Sequence, residues 1–87
     1  MPSRLVWTAA AGEDYLYWQG QDRKTIRRTN ILIRDTLRSP FSGIGKPEPL
    51  RENLSGLWSR RIDDAHRLVY AVERDDLAIV SCRYHYD

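Results

Sequence analysis

The chain has 87 residues, a size for one domain and not two, and 41% of them are apolar, enough for one core. One cysteine excludes an intramolecular disulfide, and without a Cys/His cluster no metal-ligand set and no cofactor is expected. The N-terminus has no signal-peptide apolar stretch and no run approaches membrane-spanning length, so a soluble cytoplasmic protein is expected. The net charge of +2 conceals an asymmetry. Residues 1–22 carry net −2, residues 62–87 net −3, and residues 23–61, with ten Lys or Arg against three acids, net +7. A basic segment of that density points to a polyanion, RNA or DNA first, although a solvated basic face accounts for it equally well.

In chain order, Arg4-Leu5-Val6-Trp7 is short, apolar and bounded by Pro2 and Thr8, and it reads as a strand. Thr8 is suited to cap a helix over 9–19, in which Ala11, Tyr15 and Trp18 recur on one face as a core stripe. Gly20-Gln21-Asp22 breaks that run, and Asp22 is a second N-cap. A second helix over about 23–38 is expected to bury Ile26, Asn30, Ile33 and Leu37. Arg23, Arg27, Arg34 and Arg38 then form a basic ridge about a quarter-turn away. The stretch from Ser39 to Asn53 holds Pro40, Gly43, Gly45, Pro47 and Pro49 and reads as a loop, long for so small a domain. Three strands follow: Leu57 to Asp63, His66 to Glu73, and, after a turn at Arg74-Asp75-Asp76, Leu77 to Tyr84. The order β-α-α-β-β-β predicts a single α+β domain over 1–87, with helices on one face of a largely antiparallel sheet.

Several polar residues do not fit a bland role. Glu48 lies between Pro47 and Pro49, whose rings stiffen the backbone; a carboxylate held there loses little entropy on engaging a ligand. Taken alone, the segment reads more readily as an exposed turn. Arg67 interrupts an apolar strand and shares a face with Val69 and Ala71, small neighbours that leave room for its head group; an edge salt bridge is the alternative. Cys82 sits in the apolar run from Leu77 and is expected to be a small buried hydrophobe. The end of the chain, Arg83-Tyr84-His85-Tyr86-Asp87, combines an imidazole, a phosphate-binding guanidinium and stacking rings. A tight, even turn before the last strand puts Arg67 opposite Tyr84, with Arg67 and His85 on opposite faces. A three-residue loop or a bulge instead brings them to one face, and the sequence leaves that register open. A carboxylate, an imidazole, Arg residues and a stacking Tyr are together the groups that 2′-OH-driven RNA cleavage requires, and that chemistry requires no metal.

From Leu5 to Tyr86 the chain resembles the YoeB (Txe) branch of the RelE superfamily. The resemblance is carried by Asp14-Tyr15-Leu16-Tyr17-Trp18, Gly45-Lys46-Pro47-Glu48-Pro49-Leu50 and Asn53-Leu54-Ser55-Gly56-Leu57-Trp58-Ser59-Arg60-Arg61-Ile62. It continues in His66-Arg67-Leu68-Val69-Tyr70-Ala71-Val72 and Cys82-Arg83-Tyr84-His85-Tyr86. It implies a RelE-like fold and a toxin that enters the ribosomal A site, cuts mRNA there and so inhibits translation. Glu48 would be the general base, His85 the general acid, Arg67 the stabiliser of the scissile phosphate, and Tyr86 an orienting group. Lys46, Arg51, Arg61 and Arg83 would bind RNA or phosphate, and the ridge of Arg23, Arg27, Arg34 and Arg38 is a candidate ribosome contact. The implied partners are a YefM-type antitoxin with a disordered C-terminal segment, the ribosome and mRNA, operator DNA through the antitoxin, and a second copy of the chain; no membrane is implied. Three features depart from the family: Asp87 follows Tyr86, residues 1–3 extend the N-terminus, and position 51 is Arg where Lys is common. The competing readings are a binding module that has lost catalysis and acts only in an antitoxin–DNA complex, and a basic RNA-binding domain active without the ribosome. The presence of Glu48, Arg67 and His85 together favours the enzyme.

Overall fold

A computed structural model describes residues 1–84 of the chain. Strand β1 (Arg4–Trp7) leads into helix α1 (Ala9–Gln21), and α2 (Arg23–Arg38) follows with no intervening loop. Both caps expected from sequence are made: Thr8 Oγ1 accepts from the Ala11 N–H at 3.0 Å, and Asp22 Oδ1 from the Thr25 N–H at 3.1 Å. After α2 come β2 (Glu48–Pro49), a single 3-10 turn (Glu52–Leu54), β3 (Trp58–Arg61), β4 (Arg67–Glu73) and β5 (Asp76–Ser81). The five strands form one mixed sheet in the order β1-β5-β4-β3-β2. Strands β3, β4 and β5 are the expected antiparallel meander, and β1 joins β5 in parallel, Leu5 opposite Leu77. The architecture is the expected α+β class.

The core lies between the helices and one sheet face. Ala11 and Trp18 of α1 and Leu32 and Ile33 of α2 meet Ile62, Leu68, Tyr70, Leu77, Ile79 and Cys82. The stripe expected on α2 requires correction. Asn30 is exposed, Ile26 and Leu37 are only partly buried, and the buried positions are Thr25, Thr29, Leu32, Ile33 and Thr36. Threonines enter the core because their hydroxyls bond back within the helix, Thr29 to Thr25 O at 2.9 Å and Thr36 to Leu32 O at 2.7 Å. Asn30 instead accepts from the Tyr15 hydroxyl at 2.6 Å.

Two further expectations change. The stretch 39–53 is not loop throughout, because Glu48 and Pro49 pair with Ser59 and Trp58. The β4–β5 turn is also tighter than expected: Asp76 is already in the strand opposite Glu73, leaving Arg74, at φ 57°, and Asp75 as the turn. The ladder then runs evenly from Val72 and Leu77 to Tyr70 and Ile79, and slips at a bulge to Val69 opposite Ser81.

Candidate active site

Strand alternation sends Leu68 and Tyr70 of β4 into the core and Arg67 and Val69 to the opposite, helix-free face. On β3 the same alternation directs Arg60 and Ile62 towards the helices, and Ser59 and Arg61 to the open face. Register then assembles a site. Ser59 is opposite Val69 and also opposite Glu48, while Arg61 is opposite Arg67. Glu48, Leu50, Ser59, Arg67 and Val69 line one small recess of about 70 Å³. Beside it an open cleft of about 340 Å³ is walled by residues Glu48 to Leu54, among them Arg51.

Arg67 Nη1 lies 3.4 Å from Glu48 Oε1 across the mouth of the recess. The Arg67 side chain is 24% exposed and that of Glu48 60%, so the carboxylate faces solvent while the guanidinium is largely walled in. Arg61 and Arg67 sit directly opposite on adjacent strands, a pairing of like charges that is unfavourable unless an anion lies near. Glu48 partly meets that need here, and a phosphate would meet it more fully.

The Glu48 segment is anchored from below by a group the sequence reading counted only as surface charge. Arg60 is fully buried. Its Nε donates to the Tyr70 hydroxyl at 3.2 Å and Nη1 to Asp35 Oδ2 at 2.6 Å and Ile44 O at 3.1 Å. Nη2 donates to Ser39 O at 2.5 Å and Ser42 O at 2.8 Å. All five N–H donors of the guanidinium are thereby used. The carbonyls belong to the loop between α2 and β2, so one side chain fixes the path by which the chain reaches Glu48. Asp35, held by Arg60 foremost and then by the Ile44 N–H, has its carboxyl below the usual range. The charge of Arg60 is therefore not presented to a polyanion. Gly43 (φ 118°) is required in this loop, since a Cβ there would meet the Asp35 carboxylate.

The other expected residues divide by location. Lys46, at φ 52°, and Arg51 are exposed on the segment flanking Glu48. Arg23, Arg27, Arg34 and Arg38 are all exposed on α2, on the helix-covered side of the sheet. Arg83 does not line the recess; its guanidinium lies 3.5 Å over the Tyr17 ring and 4.7 Å over that of Tyr84. His85 and Tyr86, the remaining expected catalytic residues, lie outside the described residues, as does the shared face proposed for Arg67 and His85. Cys82 is the buried hydrophobe expected, and burial pushes its thiol up to about 12. Sequence reasoning missed Ser59, Leu50 and the buried Arg60; only the pairing of β2 with β3 brings the first two to the recess.

A small mixed sheet with two helices on one face is the fold that this chain shares with toxins of toxin–antitoxin systems. Residues 7–86 match the model of the YoeB-like toxins of bacterial type II toxin–antitoxin systems, and the chain belongs to that family. It is 58% identical over 83 residues to Toxin YoeB of Escherichia coli K12, covering 95% of this chain and 99% of that one. The YoeB/ParE toxin from Agrobacterium tumefaciens superposes with a TM-score of 0.93 at 46% identity, over 95% of this chain and 99% of that one. YoeB from Staphylococcus aureus, solved as a dimer and in a heterotetrameric complex with YefM, matches at 44% identity with TM-scores of 0.89 and 0.88, each over 95% of this chain and 97% of that one.

Proposed function

We propose that this toxin is a ribosome-dependent endoribonuclease that cuts mRNA in the ribosomal A site and inhibits translation. The observation that carries the reading is Glu48 beside Arg67, with Arg61 opposite Arg67, at an open recess on the helix-free sheet face. In the proposed reaction the Glu48 carboxylate takes the proton of the ribose 2′-OH. The 2′ oxygen attacks the adjacent phosphorus, and the P–O5′ bond breaks to leave a 2′,3′-cyclic phosphate. The Arg67 guanidinium offsets the charge that builds on the phosphorane, a stabilisation that is larger in a walled site than in open water. His85 protonates the departing 5′ oxygen and Tyr86 orients the substrate. Lys46, Arg51, Arg61 and Arg83 bind RNA phosphates, and no metal takes part. The chain acts in the cytoplasm.

A YefM-type antitoxin neutralises the toxin, and the complex reaches operator DNA through that antitoxin; two toxin copies associate. The YoeB–YefM heterotetramer and YoeB dimer of the Staphylococcus aureus relative support the antitoxin and the second toxin copy. The test is induced expression of wild type and Glu48→Ala with mapping of mRNA ends in translating extracts. New ends within occupied A sites, lost in the variant, are expected. Equal cleavage of naked RNA would refute ribosome dependence, and wild-type ends from Glu48→Ala would refute the site.

A further inference from the structure

The chain does not leave the sheet freely after β5. Beyond Ser81 the strand ends, and three side chains and one backbone amide hold the backbone of residues 82–84. The Cys82 N–H donates to Asp14 Oδ2 at 3.1 Å, and Trp18 Nε1–H donates to Cys82 O at 2.7 Å. The Arg67 N–H donates to Tyr84 O at 2.9 Å. The Tyr84 N–H donates to His66 Nδ1 at 2.6 Å. Tyr84 has φ 63°, the left-handed region a residue with a Cβ rarely enters unless neighbours hold it there. Its N–H and its C=O are both held, by two consecutive residues, His66 and Arg67.

The His66 ring is itself fixed. Trp18 meets it edge-on with centroids 4.7 Å apart and the Tyr84 ring lies at 5.5 Å, while the backbone N–H of His66 donates to Asp63 Oδ1 at 2.8 Å. An imidazole accepting at Nδ1 is neutral and carries its proton on Nε2. His66 is not among the residues lining the recess. It stands instead one residue before Arg67, and the residue it holds stands one before His85.

We propose that His66 is a positioning residue for the cleavage reaction: by accepting from the Tyr84 N–H it keeps Tyr84 left-handed and so fixes the backbone immediately before His85 in the chain. This rests on the reading of His85 as the general acid. Misplacement of a reacting group by about 1 Å lowers rates by up to about 10²-fold.

The test compares His66→Phe, which keeps a ring against Trp18 and removes the acceptor, with His66→Asn, whose Oδ1 replaces Nδ1. Single-turnover cleavage is measured on programmed ribosomes beside His85→Gln, with ribosome affinity, antitoxin binding and melting temperature measured in parallel. His66→Phe is expected to slow cleavage about tenfold or more at unchanged ribosome affinity, and His66→Asn to restore most of the rate. Wild-type cleavage by His66→Phe, with His85→Gln slow, overturns the proposal and leaves the general acid intact. Wild-type cleavage by His85→Gln overturns the underlying reading instead. Should His66→Phe fail to fold, nitrogen-15 NMR of the wild-type imidazole decides. The Nε2–H tautomer with a slowly exchanging Tyr84 amide supports the proposal; the Nδ1–H tautomer or a freely exchanging amide refutes it.

Discussion

Truncating Arg60 to Ala tests whether one buried guanidinium organises the approach to Glu48. The side chain is fully buried and its five donors meet five acceptors. On truncation the Tyr70 hydroxyl keeps its bond to Pro40 O, and Asp35 keeps the Ile44 N–H. The carbonyls of Ser39, Ser42 and Ile44 lose the donor that Arg60 supplied. At about 1 kcal/mol or more for each unsatisfied carbonyl, plus the uncompensated Asp35 charge, the loss is about 3–5 kcal/mol, the range found when one partner of a buried pair is removed. A domain of this length has about 4–13 kcal/mol in all, so the variant should be marginally folded at best. Arg60→Lys should lose about 2 kcal/mol, because an ammonium has three donors and no planar fork. Arg60→Met fills space but satisfies no carbonyl, and should resemble Ala more than Lys. Urea unfolding of the three variants gives the comparison. An Arg60→Ala loss below about 1 kcal/mol, or Met as stable as wild type, would refute the argument.

Other expectations follow from the same geometry. Glu48→Gln and Arg67→Ala should each slow single-turnover mRNA cleavage by about 10²–10⁴-fold while antitoxin pull-down remains intact, since both side chains lie on an open face outside the core. Acid unfolding should depend on Asp35. Its carboxyl is lowered in the folded state, so its contribution is complete above the unfolded value of about 4 and disappears as pH falls through the lower folded one. Asp35→Asn should therefore flatten the fall of stability below about pH 4, seen by circular dichroism. Cys82, with its thiol pushed up to about 12, should resist iodoacetamide at pH 8 in the native state and react on unfolding; native labelling would contradict its burial. Reversing Arg34 and Arg38 to Glu should weaken ribosome binding and reduce its salt slope; unchanged binding at low salt would leave the α2 ridge as solvated surface.

Local chemistry was the legible part of this chain. Thr8 and Asp22 announce helix starts because a cap is a contact within three residues, and the meander follows from strand length and turn composition. Glu48 drew notice for the two prolines that hold it, although alone it read more readily as an exposed turn, and Arg67 for interrupting an apolar strand. What sequence concealed depends on partners far along the chain. Arg60 reads as one more surface cation until Asp35 and the 39–44 carbonyls enclose it. Thr29 and Thr36 read as polar because their satisfied hydroxyls do not show in a hydropathy pattern. The pairing of Glu48 with Ser59 involves two residues, too few for any periodicity, and the bulge between Val69 and Tyr70 has no compositional mark.

The position of β5 between β1 and β4 bears on how the molecule is made. Its first strand emerges from the ribosome first, yet the neighbour that pairs with it, and on which the Ser3 and Arg4 amides close at Asp75 O, is the last strand to be synthesised. Helices form early and locally; the sheet closes only when β5 is available to pair with β1. A nascent chain held back before β5 has β1 unpaired and lacks the backbone at Tyr84 that Arg67 and His66 grip. The fold thus acts as a timer: a molecule whose proposed target is the translating ribosome completes its site only once its fifth strand has been made.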